Sequence, residues 1–109
     1  MTPEELVGSY LQGERDFRGI KLIQSPFDVE GNEIDLRGSV LNHINATCAY
    51  FDRAINIGAL EYAILADASF QDAHIPDQLI CRGGNLIWRT IMPDGTIKLG
   101  PQCGDGEGR

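Results

Sequence analysis

Apolar residues recur in this chain every five positions. Leu60, Leu65, Phe70 and Ile75 hold that spacing, and Gly58, Ala63, Ala68 and Ala73 stand two places ahead of each. Period five suits neither common element. A helix advances about 100° per residue, so the apolar row would rotate out of any one face. A strand would send alternate members to opposite faces. A row that stays buried at this period requires a chain that turns a corner every five residues, which predicts a solenoid with four short sides per coil.

The same rhythm extends toward the N-terminus. Phe17 and Leu22 are five apart, and Leu36, Leu41, Ala46 and Phe51 continue it, with Ile34, Ser39, Ile44 and Ala49 two ahead. A slip of one residue falls near Arg53, because the next row begins at Ile55. Arg53 would then point inward, where an unpaired charge is costly, so a bulge that swings it out is expected. The inward set is therefore Phe17, Leu22, Leu36, Leu41, Phe51, Ile55, Leu60, Leu65, Phe70 and Ile75, with Ala63, Ala68 and Ala73 as its small members.

The flanks read differently. Thr2-Pro3-Glu4-Glu5 carries a capping box with proline in the first turn, and Leu6, Val7, Tyr10 and Leu11 form an apolar stripe. Residues 1–13 are expected to be a short helix covering the open end of the core, since stacked repeats need capped ends. Residues 14–92 form the repeat region, with a loop at Asp28–Glu33. Residues 93–99 hold a turn, Pro93-Asp94-Gly95, and a short strand at Thr96–Leu99. Residues 100–109, with four glycines, are expected to be a disordered tail.

The residues from Gly13 to Leu99 resemble the pentapeptide repeat proteins. Ala63-Ile64-Leu65-Ala66-Asp67 and Ala68-Ser69-Phe70-Gln71-Asp72 carry the pattern of a small residue, any residue, Leu or Phe, then two polar positions. Gly13-Glu14-Arg15-Asp16-Phe17-Arg18-Gly19 looks like the entry segment of many bacterial members, and Met92-Pro93-Asp94-Gly95-Thr96 like a common exit segment. The resemblance implies an all-β fold: a right-handed quadrilateral β-helix of about four coils.

Composition narrows the functions. The formal charge is −7, which disfavours binding to a phosphate backbone or an anionic membrane and leaves a basic partner open. No apolar run reaches the length of a membrane span or of a secretion signal, so a cytoplasmic location is the default expectation. Cys48, Cys81 and Cys103 match no zinc spacing and read as unpaired small hydrophobes and a tail thiol.

Nothing in the sequence assembles chemistry. His43 and His74 fall at outward or slip-adjacent positions, and no phosphate loop, nucleophile elbow or His-Glu zinc motif is present. Asp52 and Asp72 lie 20 apart and would stack as a solvated pair. No enzyme activity, cofactor or metal is expected. Trp88 either covers the last coil or is an exposed anchor. The expected function is a structural or protein-interaction module for an unknown protein partner, with a homodimer through the C-terminal coil, where the edge is least covered. The alternative is a DNA mimic that inhibits or protects a type II topoisomerase, as some pentapeptide repeat proteins do. Glu61, Asp67, Asp72 and Asp77, with no Lys or Arg between Ala54 and Cys81, would be its acidic face.

Overall fold

A computed structural model describes residues 1–24 and 33–100. The element order is α1 (Pro3–Leu11), β1 (Ile34–Val40), β2 (Ala54–Ala59), α2 (Asp77–Cys81), β3 (Thr90–Ile91) and β4 (Ile97–Lys98). β1 and β2 pair in parallel, and β3 and β4 pair antiparallel.

The expected all-β quadrilateral β-helix is overturned by this arrangement. The described residues hold two small sheets of two strands each, one of them antiparallel, and two helices. A chain that bends every five residues leaves few residues per side in bridging geometry. Much of the pairing consists of isolated parallel bridges such as Asn45 to Ile64, Tyr50 to Ser69 and Ile55 to His74. A helix, α2, also lies inside the stretch assigned wholly to repeats. Its start at Asp77 follows Pro76, which is extended at φ −70° and ψ 146°.

The bends have a common construction. Backbone N–H groups of Ala49, Ala54, Ala68 and Ala73 donate to the carbonyls of Ala46, Phe51, Leu65 and Phe70, closing four-residue turns. The third residue of each is left-handed: Cys48, Arg53, Asp67 and Asp72 have φ between 58° and 63°. Positive φ at that position is the requirement of a type II turn. A non-glycine residue pays strain there unless its surroundings hold it. Here the corner N–H groups are tied to a neighbouring stretch of chain: Cys48 donates to Ala66, Arg53 to Gln71, Asp67 to Trp88 and Asp72 to Pro93, at 2.7–3.0 Å.

The core is a single cluster. Phe17, Leu22, Leu36, Leu41, Phe51, Leu60, Leu65, Phe70, Ala63, Ala68 and Ala73 are all buried in it. Phe51 and Phe70 stack with centroids 5.4 Å apart and planes 10° from parallel. Ile55 corrects the inward set, because it is only half-buried and lies outside this cluster, whereas Ile75, also half-buried, packs against it. Around the first of these, Ala54 and Ile57 are the buried residues. The irregularity expected at Arg53 lies slightly later, in the β1–β2 register. Asp35 pairs with Ile55 but Ser39 with Ile57, so β1 carries the extra residues. Gly58 sits against this bulge, and a Cβ there would stand 2.1 Å from the Gly38 carbonyl oxygen.

At the N-terminus the capping box forms as drawn from the sequence. Thr2 Oγ1 accepts from the Glu5 N–H at 3.2 Å, and Glu5 Oε1 accepts from the Thr2 N–H at 2.8 Å. That second bond holds the Glu5 carboxyl below its ordinary pKa. Leu6 is fully buried, but Leu11 is 78% exposed, so the apolar stripe meets the core along only part of its width. The Asp28–Glu33 loop, apart from Glu33, and the tail beyond Gly100 lie outside the described residues.

After α2 the core is completed by a different device. Asn85 is 1% exposed, yet its amide is fully engaged. Its Nδ2 donates to the carbonyls of Leu60, Leu79 and Ile80 at 2.9–3.1 Å, and its Oδ1 accepts from the Ala63 N–H at 2.9 Å. Thr90, also buried, donates its hydroxyl to the Leu65 carbonyl at 2.8 Å. The final turn is held by Asp94, which accepts from the N–H and hydroxyl of Thr96. β4 then pairs along β3.

Candidate interaction face

One side of the molecule is built from four short extended stretches in parallel alignment. The bridges Asp16–Asn45, Asn45–Ile64 and Ile64–Leu86 fix the first column of residues. Backbone bonds of one type fix a second column two positions on. The N–H of Gly19 donates to Thr47, that of Cys48 to Ala66 and that of Asp67 to Trp88. Between the columns, Phe17, Ala46, Leu65 and Ile87 are buried. Side chains alternate along an extended stretch, so the residues on either side of these face outward.

The outward surface is therefore four rows of two: Asp16 and Arg18, Asn45 and Thr47, Ile64 and Ala66, Leu86 and Trp88. Its character changes along the stack. In the first row Asp16 and Arg18 form a two-bonded ion pair, each contact 2.8 Å. The Arg18 guanidinium, with the Arg18 backbone N–H, holds the Asp16 carboxyl below its usual range, and Asp16 raises Arg18 in turn. In the second row the Thr47 hydroxyl donates to Asn45 Oδ1 at 2.7 Å. The third and fourth rows are apolar and exposed: Ile64 by 38%, Leu86 by 46% and Trp88 by 50%. Half of Trp88 thus faces solvent. At the corner beside it, Arg89 grips Asp67 at 2.9 and 3.1 Å.

The four acids singled out from the sequence do not share this arrangement. Asp67 is paired with Arg89. Asp67 and Asp72 occupy successive left-handed corners, so their side chains leave the chain in different directions. Glu61 lies beside Gly83, and Asp77 opens α2. Asp52 does not stack on Asp72; its carboxylate accepts a short hydrogen bond from the Ser69 hydroxyl. The backbone alignment is 19 residues at this point, not 20, which sets Tyr50 beside Ser69.

The histidines are exposed and apart. His43 stacks on Tyr62 with centroids 5.5 Å apart, and His74 pairs with Glu33 at 2.8 Å. Among the described residues no three His, Cys, Asp or Glu side chains come together in a way that could hold a metal ion. Cys48 is an exposed free thiol. Cys81 corrects the reading of unpaired cysteines, because it is disulfide-bonded. An apolar groove of about 330 Å³ lies between α1 and β1, lined by Pro3, Val7, Leu11 and Leu36, with Glu4 and Arg37 at its rim. No described helix is long and apolar enough to cross a membrane.

Sequence reasoning named Trp88 but missed the face to which it belongs. The outward positions of the repeat follow no apolar period, and Ile64 and Leu86, like Tyr50 and Tyr62, are isolated large residues among them that do not by themselves mark one surface. Comparison with family models, with curated proteins and with solved structures finds no match for this chain.

Proposed function

We infer that this protein is a non-catalytic interaction module whose contact surface is the four-row face ending in Leu86 and Trp88. One observation carries the reading: three large apolar side chains, Ile64, Leu86 and Trp88, stand exposed together on backbone fixed by parallel bridges. Exposed large apolar residues are ordinary when scattered, but a contiguous group on a rigid surface marks a contact site. Tryptophan is also the residue most enriched among those that dominate binding energy. The resemblance of the repeats to pentapeptide repeat proteins supports a scaffold role as well. The partner is a protein, met by a flat surface and not by a pocket.

The test is site-specific photocrosslinking in extract of the native cell. A photoreactive residue replaces Trp88 in one version and Asn56, on a different side, in another. Protein crosslinks formed from position 88 and absent from position 56 are the expected result. Equal labelling from both positions, or none from position 88, removes the assignment of this face.

A further inference from the structure

The face has a symmetry that its individual residues do not advertise. Consider a second copy laid against it with a two-fold axis running along the stack of rows. Each row then meets the same row of the other copy, and the two columns exchange. Asp16 faces the partner's Arg18, and Arg18 faces the partner's Asp16. Asn45 faces Thr47, Ile64 faces Ala66, and Leu86 faces Trp88. Every row matches itself under this operation: acid against base, amide against hydroxyl, a large side chain against a small one, and an aliphatic side chain against an indole.

We propose that this face is a self-association surface, and that its occupant is a second copy of the chain related by a two-fold axis that runs along the stack, perpendicular to each row. The proposal rests on the reading of the face as a contact surface and goes further in naming the partner.

The charges of the face itself fit this occupant. The chain carries −7, so most ways of apposing two copies set acid against acid. Among the eight described residues of these rows the charges are Asp16 and Arg18, which cancel, while Asp67 at the margin is already matched by Arg89. The two intrachain ion pairs meet as a square of alternating sign, which removes the like-charge cost that an isologous contact would otherwise carry. Long-range repulsion between the copies is damped at physiological salt, where the screening length is about 8 Å.

Size sets the expected strength. Four rows at about 4.8 Å spacing and two columns make a small footprint. Such a contact belongs with weak and transient interfaces, which bury less than about 1,200 Å² in total.

The test is sedimentation equilibrium of the purified full chain over a range of concentrations, with far-UV circular dichroism and thermal melting as folding controls. The wild type is expected to show a reversible monomer–dimer equilibrium. Ala66→Arg places a long charged side chain opposite the partner's Ile64. It should weaken association about tenfold or more with an unchanged melt, the loss expected when a central contact is spoiled.

The charge square supplies the discriminating arm. Asp16→Arg makes the first row wholly positive and Arg18→Asp makes it wholly negative, so each variant alone should dimerise less well than wild type. Mixed in equal amounts, the two should restore a heterodimer, since each position then meets its opposite. A wild type that stays monomeric at every concentration overturns the proposal, as does a dimer indifferent to Ala66→Arg. Absence of rescue on mixing overturns the two-fold arrangement. Crosslinks from position 88 to a different protein, with a strictly monomeric purified chain, would sink self-association while leaving the contact-surface reading intact.

Discussion

The stretches 41–73 and 75–98 reach the same end by different means. In the first, corners recur at five-residue steps and are made by non-glycine residues: His43, Cys48 and Arg53, then Tyr62, Asp67 and Asp72. Each donates its N–H to another stretch of chain, so backbone strain is held by neighbours rather than avoided. The second stretch keeps that step only briefly, with left-handed corners at Gly84 and Arg89 and buried Ile87 and Met92 each five apart. It inserts α2, bends through Gly83 and Gly84, and closes with the β3–β4 hairpin. Where the first stretch fills its small inward positions with Ala63 and Ala68, the second stacks Asn85 and Thr90 beneath them and satisfies their polar atoms on the buried Ala63 N–H and Leu65 carbonyl. Apolar repetition and buried polar bridging are thus alternative ways to continue one core.

This contrast can be broken by mutation. The largest effect is expected from Phe70→Ala, which removes one ring of the Phe51–Phe70 stack. It should cost about 3–5 kcal/mol in urea unfolding. Asn85→Leu probes the other stretch. It strands the carbonyls of Leu60, Leu79 and Ile80 and the N–H of Ala63, and should cost about 3 kcal/mol. A loss under about 1 kcal/mol would mean that the amide is not what joins the stretches, since one net hydrogen bond is worth about that much.

Gly58→Ala tests the bulge between β1 and β2. Its new Cβ would collide with the Gly38 carbonyl, so the strands must shift, at about 1–3 kcal/mol. A neutral result would show that the strand pair is loose at this point.

The smallest effect is acid sensitivity. Four carboxyls are held below their ordinary pKa: Glu5 by the Thr2 N–H, Asp16 by Arg18, Asp35 by the Asn56 side chain and Asp94 by Thr96. A depressed folded-state pKa gives stability that is complete at neutral pH and is lost as pH falls through the folded value. Unfolding free energy should therefore hold down to the ordinary carboxylate range near about 4 and decline below it. All four groups are solvent-exposed, so the decline is modest. None lies in 41–73, so amide exchange in acid should rise in the flanks before the middle. The reverse order would count against the division of the molecule drawn above.

Much of this was legible in the residues themselves. The five-residue row marked Leu60, Leu65 and Phe70 as interior, because an apolar side chain with a fixed period must keep one address. Thr2-Pro3-Glu4-Glu5 announced α1 through short-range capping chemistry. The fold class was misread as all-β, because pattern alone does not say how many residues per side pair into strands. Nor did it reveal that Asp77–Cys81 would form a helix, or that a polar Asn85 would be buried, since two of its four partners, Leu60 and Ala63, come from a distant segment.

Sequence by itself determined most of the side chains that turn inward between Leu36 and Ala73, Ile55 excepted, and roughly where the chain bends, since both follow from local period and side-chain chemistry. Only the tertiary structure decided which outward residues become neighbours. The partners along the first column, Asp16, Asn45, Ile64 and Leu86, are 29, 19 and 22 residues apart. The residues between them fix those steps only once they are folded. A surface assembled at unequal steps has no period to read, so the alignment of Ile64 with Leu86 and of Ala66 with Trp88 exists only in three dimensions.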